Sequence, residues 1–499
     1  MSATTPTDRL SLATLASPAE RPGVSGPAVD PRALSTGIVH FGVGAFHRAH
    51  QAVFTEDAAA AAGDTRWGIL GVTGRSAKVA EQLAPQDGLY SVLTKARDTT
   101  ALRVMGSMRQ VAFPGADSEE VLRTLAAENV HLASLTITEK GYPRTPEGAL
   151  DVTHPAVAAD IAALRAEWSG RQFAGVARTP LGLLVRGLAR RQATSGAPFA
   201  VVCCDNLMSN GSVTRGLVAS LAEAAGAERL LEWLDSDVTF PSTMVDRIVP
   251  ATTEGNRTEA GRMLGLRDEG LVVAEPFGQW VIEDNFKVPR PEWERAGAVV
   301  TADVGVFEVA KLRMLNATHS LLAYLGSLRG YPTIADAVRS DELAEEARRL
   351  QRQDIIPTLV APPGINLADY GESILDRFAN PNLGHTTIQV AMDGSQKLPV
   401  RVLGTVADRL ATGEVPRSAA LLVAAWMVFV RRGRDVNGRP LALDDPMSGR
   451  LQETAAGPEA GLVARLLALR EIFPEEVAEH VGFRGAVTDA ARRLLTEIP

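Results

Sequence analysis

Over the first three hundred residues, short apolar runs alternate with longer stretches of helical periodicity. Runs at 38–41, 67–72, 89–94, 131–138 and 199–206 are bounded by Gly, Asn, Asp or Thr and read as strands. Between them, VLRTLAAEN (121–129) and LGLLVRGLARRQ (181–192) repeat apolar residues at three- and four-residue spacing and read as helices. Such alternation predicts a mostly parallel sheet covered on both faces, an α/β domain over residues 36–300. The run LRVMGSMRQVAF (102–113) reads as an antiparallel addition to that sheet. From about residue 301 the pattern becomes helix after helix, at 307–327, 340–351, 418–432 and 461–470, so 301–499 is expected to be a mainly α-helical domain. Residues 1–35, rich in Pro, Ala and Ser, read as an extension that wraps or frays.

The first strand runs into Gly42-Val43-Gly44-Ala45-Phe46-His47 and then a helix. This is the setting of a dinucleotide-binding loop, in which glycines let the backbone turn tightly and approach a pyrophosphate. His47 stands where G-x-G-x-x-G has its third glycine, so an ordinary strand-to-helix turn is the competing reading. His47 and His50 are read as pocket-lining or capping residues, because no further ligands complete a metal site. No metal is expected.

Composition narrows the function classes. A 499-residue chain with 45% hydrophobic and 22% charged residues is an ordinary globular protein of two to three domains. A net charge of -8 argues against nonspecific nucleic-acid binding, and no apolar run approaches the roughly 18 residues of a membrane span. The start of the chain has no signal-peptide pattern, and Cys203 and Cys204 are adjacent and unsuited to a structural disulfide. A cytoplasmic protein acting on a small molecule is the expectation.

Lysine is scarce: six of 51 basic residues. Arginine is not deprotonated in proteins, whereas a partly buried lysine can act as a base. Lys311 therefore draws notice, lying with Asn316 and His319 on the apolar stretch FEVAKLRMLNATHSLLAYLG. On an α-helix, at about 100° per residue, Asn316 falls some 140° and His319 some 80° round from Lys311, a broad face. A base, an amide donor and an imidazole on one face suit alcohol oxidation, which needs a proton acceptor and donors for the developing oxyanion. A snorkelling surface lysine is the competing reading.

The string KLRMLNATHS resembles the K-x-x-x-x-N-x-x-H signature of the mannitol dehydrogenase family, the polyol-specific long-chain dehydrogenases. The resemblance extends through GIVHFGVGAFHRAHQAVF, LTITEKGY, CCDNLMSNG, MVDRIVP, EPFGQWVIED and MDGSQKLP. It implies a Rossmann-type N-terminal domain, a mostly helical C-terminal domain, a site in the cleft between them and metal-independent hydride transfer. It implies Lys311 as general base, Asn206 and Asn316 as oxyanion donors, His319 as substrate-orienting group and Glu308 in proton exchange. Asp246 and Lys397 match substrate-contacting positions, and Gly42, Gly44 and Phe46 lie in the cofactor loop. Family members are often monomers, and a monomer is expected.

Two choices stay open. Mannitol dehydrogenases tend to carry arginine eight residues before the MDGSQK lysine, where this chain has Gln389. IQVAMDGSQKLPVR instead looks like fructuronate reductases, with Arg401 placed to grip a carboxylate bidentately. D-mannonate/D-fructuronate is the first reading, followed by mannitol/fructose, mannitol 1-phosphate and, in another class, an inactive sugar-binding regulator. The segment after the second strand holds Arg75 and lacks the carboxylate that usually binds an NAD ribose. NAD, used by most of the family, is placed first and NADP second.

Overall fold

The computed structural model describes residues 8–498 apart from 16–20, 146, 172 and 174, so part of the 1–35 extension lies outside the described residues. The chain divides into two compact units, Met1–Val304 and Gly305–Pro499.

The main sheet of the first unit has six parallel strands: β1 (Thr36–Phe41), β2 (Gly68–Val72), β3 (Met108–Ala112), β4 (Leu132–Leu135), β5 (Phe199–Cys203) and β6 (Val238–Thr239). Their spatial order is β3-β2-β1-β4-β5-β6. This is the Rossmann order, and its direction reverses between β1 and β4, where ligands bind beyond the strand carboxyl ends. Alternate residues feed two cores. Val39 and Phe41 of β1 and Val201 and Cys203 of β5 pack with Leu122, Leu125, Leu184 and Leu188. Ile38, Ala200 and Val202 pack on the opposite face with Ala52, Phe54 and Trp280. Burial on both faces is why these strands read as continuous apolar runs. After β1 come α1 (Ala45–Ala49) and α2 (Gln51–Ala62).

Two expectations are corrected. The 89–94 run, observed as Tyr90–Lys95, leaves the main sheet and pairs antiparallel with Thr100–Met105 and parallel with Val272–Ala274. The 102–113 run is two strands rather than one, the second being β3, parallel to β2. Buried Glu56 makes the break: its Oε2 accepts from the backbone N–H groups of Gly106 and Ser107 at 2.7 and 2.9 Å. Both donors are thereby withdrawn from any ladder. Within the N-terminal segment, Val24–Ser25 pairs in parallel with Leu102–Arg103, so this part is docked on a sheet.

The second unit contains α3 (Gly305–Lys311), α4 (Ala317–Leu328), α5 (Asp341–Arg349), α6 (Leu367–Phe378), α7 (Arg417–Arg432) and α8 (Val481–Glu497). Fully buried Leu422, Val423, Trp426 and Met427 on α7 lie at its centre, with α4 and α8 packed against that helix. Three π-turns interrupt the regular helices, at Leu312–Asn316, Leu350–Ile355 and Pro399–Leu403. Among the described residues no helix is long and apolar enough to cross a membrane.

Candidate functional site

In the first unit the glycine loop sits where the strand order reverses. Gly42 has φ +96°, and a Cβ there would lie 2.1 Å from the Thr136 carbonyl oxygen, so no side chain is tolerated. Gly44, the N-cap of α1, has open space at the same test, the nearest atom being 3.8 Å away. An open position at a helix start beyond a sheet switch point fits close approach of a dinucleotide phosphate. Phe46 stacks on His50 with centroids 5.0 Å apart, and Arg75 is exposed beyond β2.

His40, on β1, was not singled out from the sequence because it reads as a polar break in a strand. It supports the loop from below. Its Nε2–H donates to the Gly42 carbonyl at 3.1 Å, and Nδ1 accepts from the Ser134 hydroxyl at 2.8 Å. His47 stacks on it at 3.3 Å, so the residue replacing the third glycine is a buried packing partner. His50 Nε2 donates to the Gln279 carbonyl. Burial lowers the His40 pKa to about 3, and lowers that of His47 well below its usual value, with the neighbouring His40 and Arg48 acting in the same sense. A histidine with a depressed folded-state pKa binds fewer protons folded than unfolded, so its contribution to stability is lost as pH falls below the unfolded value of about 6.5. Urea midpoints are therefore expected to fall as pH drops from about 6.5 towards about 3, less steeply in His40→Gln. Equal slopes in the two proteins would remove His40 as a source.

At the end of β5, Asn206 is exposed and adjoins buried Asp205. The Asp205 carboxylate accepts from the N–H groups of Ile137 and Thr138 and from the Tyr142 hydroxyl, at 3.1, 2.7 and 2.7 Å. CDN and ITEKGY are therefore one interlocked turn, a link that sequence spacing does not reveal. Burial pushes the Asp205 carboxyl above its usual range. Asp246 is buried at the end of Thr243–Asp246. That strand is tied to β5 by Thr243, whose Oγ1 donates to the Cys203 carbonyl, and to the turn after β5 by Asn210, whose Oδ1 accepts from the Thr243 N–H and whose Nδ2 donates to the Asp205 carbonyl.

In the second unit the expected broad face is corrected to a narrow stripe. Leu312–Asn316 is a π-turn between α3 and α4. A turn closed by i→i+5 bonds takes up one residue more than an α-turn, so one step of about 100° drops out. Asn316 then lies about 40° to one side of Lys311 and His319 about 20° to the other. Glu308, one turn before Lys311, is buried, as is Asn316, whereas Lys311 is partly exposed.

His319 stacks on Phe378 at 4.5 Å and on His385 at 5.8 Å, and its buried Nε2 has no hydrogen-bond partner among the described residues. Burial lowers its pKa well below the usual value, and the positive fields of Arg401, Lys397 and Arg377 add to the effect. Lys397 and Arg401, named from the sequence, thus bear on His319 together with Arg377, which was not; His385, its own pKa lowered by burial, stacks on the ring as a neutral imidazole, and Lys397 also pairs with Asp393 at 3.9 Å. Arg401 Nη1 donates to the Ser320 hydroxyl at 3.2 Å, and Lys397 Nζ to the Val390 carbonyl at 3.3 Å. Gln389 is exposed and closes a capping box with Thr386, a local helix-start role. Among the described residues no group of three or more His, Cys, Asp or Glu is arranged to hold a metal ion.

Comparison with known proteins follows the same division. Residues 36–295 match the mannitol dehydrogenase Rossmann domain, and 303–495 the mannitol dehydrogenase C-terminal domain. The chain is 41% identical over 477 residues to D-mannonate oxidoreductase of Escherichia coli (strain K12), covering 94% of this chain and 96% of the relative. It is 36% identical over 448 residues to mannitol 2-dehydrogenase of Pyrenophora tritici-repentis, covering 88% and 77%. The structure of Pseudomonas fluorescens mannitol 2-dehydrogenase in a ternary complex with NAD and D-mannitol superposes with a TM-score of 0.83 at 33% identity, covering 98% of each chain.

Proposed function

Since the chain belongs to the mannitol dehydrogenase family and is an oxidoreductase of that kind, we propose that it interconverts D-mannonate and D-fructuronate with NAD(H). The observation that carries this choice of substrate is the electropositive neighbourhood of His319. The cationic side chains of Arg401, Lys397 and Arg377 all bear on that ring. A hexuronate brings a carboxylate to such a place, whereas a neutral polyol does not. The similarity to D-mannonate oxidoreductase points the same way.

In this reading Lys311 takes the hydroxyl proton, and Asn316 and Asn206 donate to the oxygen as its charge grows. His319 Nε2, neutral at working pH, orients a substrate hydroxyl. Glu308 passes the Lys311 proton to solvent, and Asp246 and Lys397 hold further oxygens. Gly42, Gly44, Phe46 and Arg75 would hold the dinucleotide, which when bound supplies the hydride acceptor. Arg75 beyond β2 keeps NADP as the alternative cofactor.

The deciding experiment mixes the purified protein with NADH, and separately NADPH, and follows cofactor oxidation on adding D-fructuronate or D-fructose. Faster turnover of fructuronate is expected. Arg401→Gln is expected to raise KM for fructuronate roughly tenfold, the loss of one charge-assisted hydrogen bond, and to leave fructose turnover alone. Preference for fructose, or equal loss on both ketones, would return Arg401 to its Ser320 contact and make mannitol/fructose the better pair.

A further inference from the structure

Helix α4, which carries His319 and starts directly after Asn316, also carries Thr318, whose side chain is fully buried. The Thr318 hydroxyl oxygen accepts from Nε2 of Gln351 at 3.1 Å. Gln351 is itself buried and belongs to the second π-turn, Leu350–Ile355.

That turn is held on other sides as well. Arg348 and Arg352, flanking Gln351, both donate to Glu372 on α6. Asp354 accepts from the Ala419 N–H at 2.8 Å, at the start of α7. Next to Glu372, Gly371 has no side chain where one would collide: a Cβ would lie 2.7 Å from Gln351 Oε1 and 3.2 Å from Cε of Met314, a residue of the first π-turn. Helix α6 therefore passes over both turns at a bare Cα.

A π-turn holds one surplus residue, and reversion to α-helix would rotate everything after it by about 100° relative to everything before. Lys311 lies before the turn; Thr318 and His319 lie after it. A buried side-chain tie at Thr318 opposes that rotation, because breaking it strands a buried polar group.

We propose that Gln351 is a positioning residue for the hydride-transfer reaction. Through Thr318 it fixes the rotation of α4, so that Asn316 and His319 stay in line with Lys311. The proposal rests on the roles given above to those three residues.

The test measures kcat, KM and NADH affinity for Thr318→Val, Thr318→Ser, Gln351→Leu and the double variant Thr318→Val/Gln351→Leu, beside Lys311→Ala. Thr318→Val and Gln351→Leu are each expected to lower kcat roughly ten- to a hundredfold with NADH affinity unchanged, the scale of a small misplacement of catalytic groups. Thr318→Ser, which keeps the oxygen, is expected to stay within about twofold of wild type, and the double variant to be no worse than the worse single one, since both remove one bond. Retained NADH affinity reports an intact first unit, and near-isosteric Thr318→Val carries the test if Gln351→Leu does not fold. Wild-type kcat in Thr318→Val beside an inactive Lys311→Ala overturns the proposal, as does a Thr318→Ser variant as slow as Thr318→Val. An active Lys311→Ala overturns the underlying reading instead, and the proposal with it.

Discussion

Replacing Lys311 with alanine is expected to lower kcat at neutral pH by about 10²–10⁴-fold, the usual worth of a positioned general base, while NADH still binds. The expectation is chemical. Nearly every other basic position in this chain is arginine, which cannot give up its proton, and Lys311 stands where α3 meets the π-turn, partly exposed and one turn beyond buried Glu308. Cofactor binding is assigned to the first unit, so fluorescence titration with NADH should give an unchanged affinity while turnover collapses. The loss should be seen in both directions, because the amine that accepts the hydroxyl proton in oxidation returns it in reduction. Turnover retained at neutral pH would mean that another group takes that proton.

Asn316→Ala is expected to cost about 10²–10³ in kcat with little change in KM, the cost of removing one oxyanion donor. A donor that binds ground state and transition state equally would change KM instead, so the split between the two constants decides its role. Asn316 is buried, which keeps its amide out of competition with bulk water and makes each hydrogen bond count for more. A loss confined to substrate affinity would assign the oxyanion to other donors and leave Asn316 a ground-state contact.

Much of this was legible from local pattern. The strand β1, the glycine loop and α1 follow from an apolar run, two glycines and a helical stretch, because strand burial and tight turns are written in neighbouring residues. Misplacements came where partners far apart in sequence decide the pairing. Tyr90–Lys95 is as apolar as a main-sheet strand, yet it pairs with Thr100–Met105 and Val272–Ala274. The break after Met105 depends on a carboxylate some fifty residues away, at Glu56. His40 and Asp205 escaped notice for the same reason: each acts on a loop from another part of the chain.

By itself the sequence determined the α/β and helical halves and, through its motifs, the family. These follow from composition, periodicity and short motifs, which are local quantities. Only the tertiary structure decided how Lys311, Asn316 and His319 face. Counting residues at the α-helical step spreads them over a broad arc, whereas the π-turn at Leu312–Asn316 draws them into one stripe. A helix gains a surplus residue only where its surroundings stabilise the irregular turn. Here those surroundings include Gly371 and, beside the turn, the buried Gln351–Thr318 pair, none of which can be counted from KLRMLNATHS.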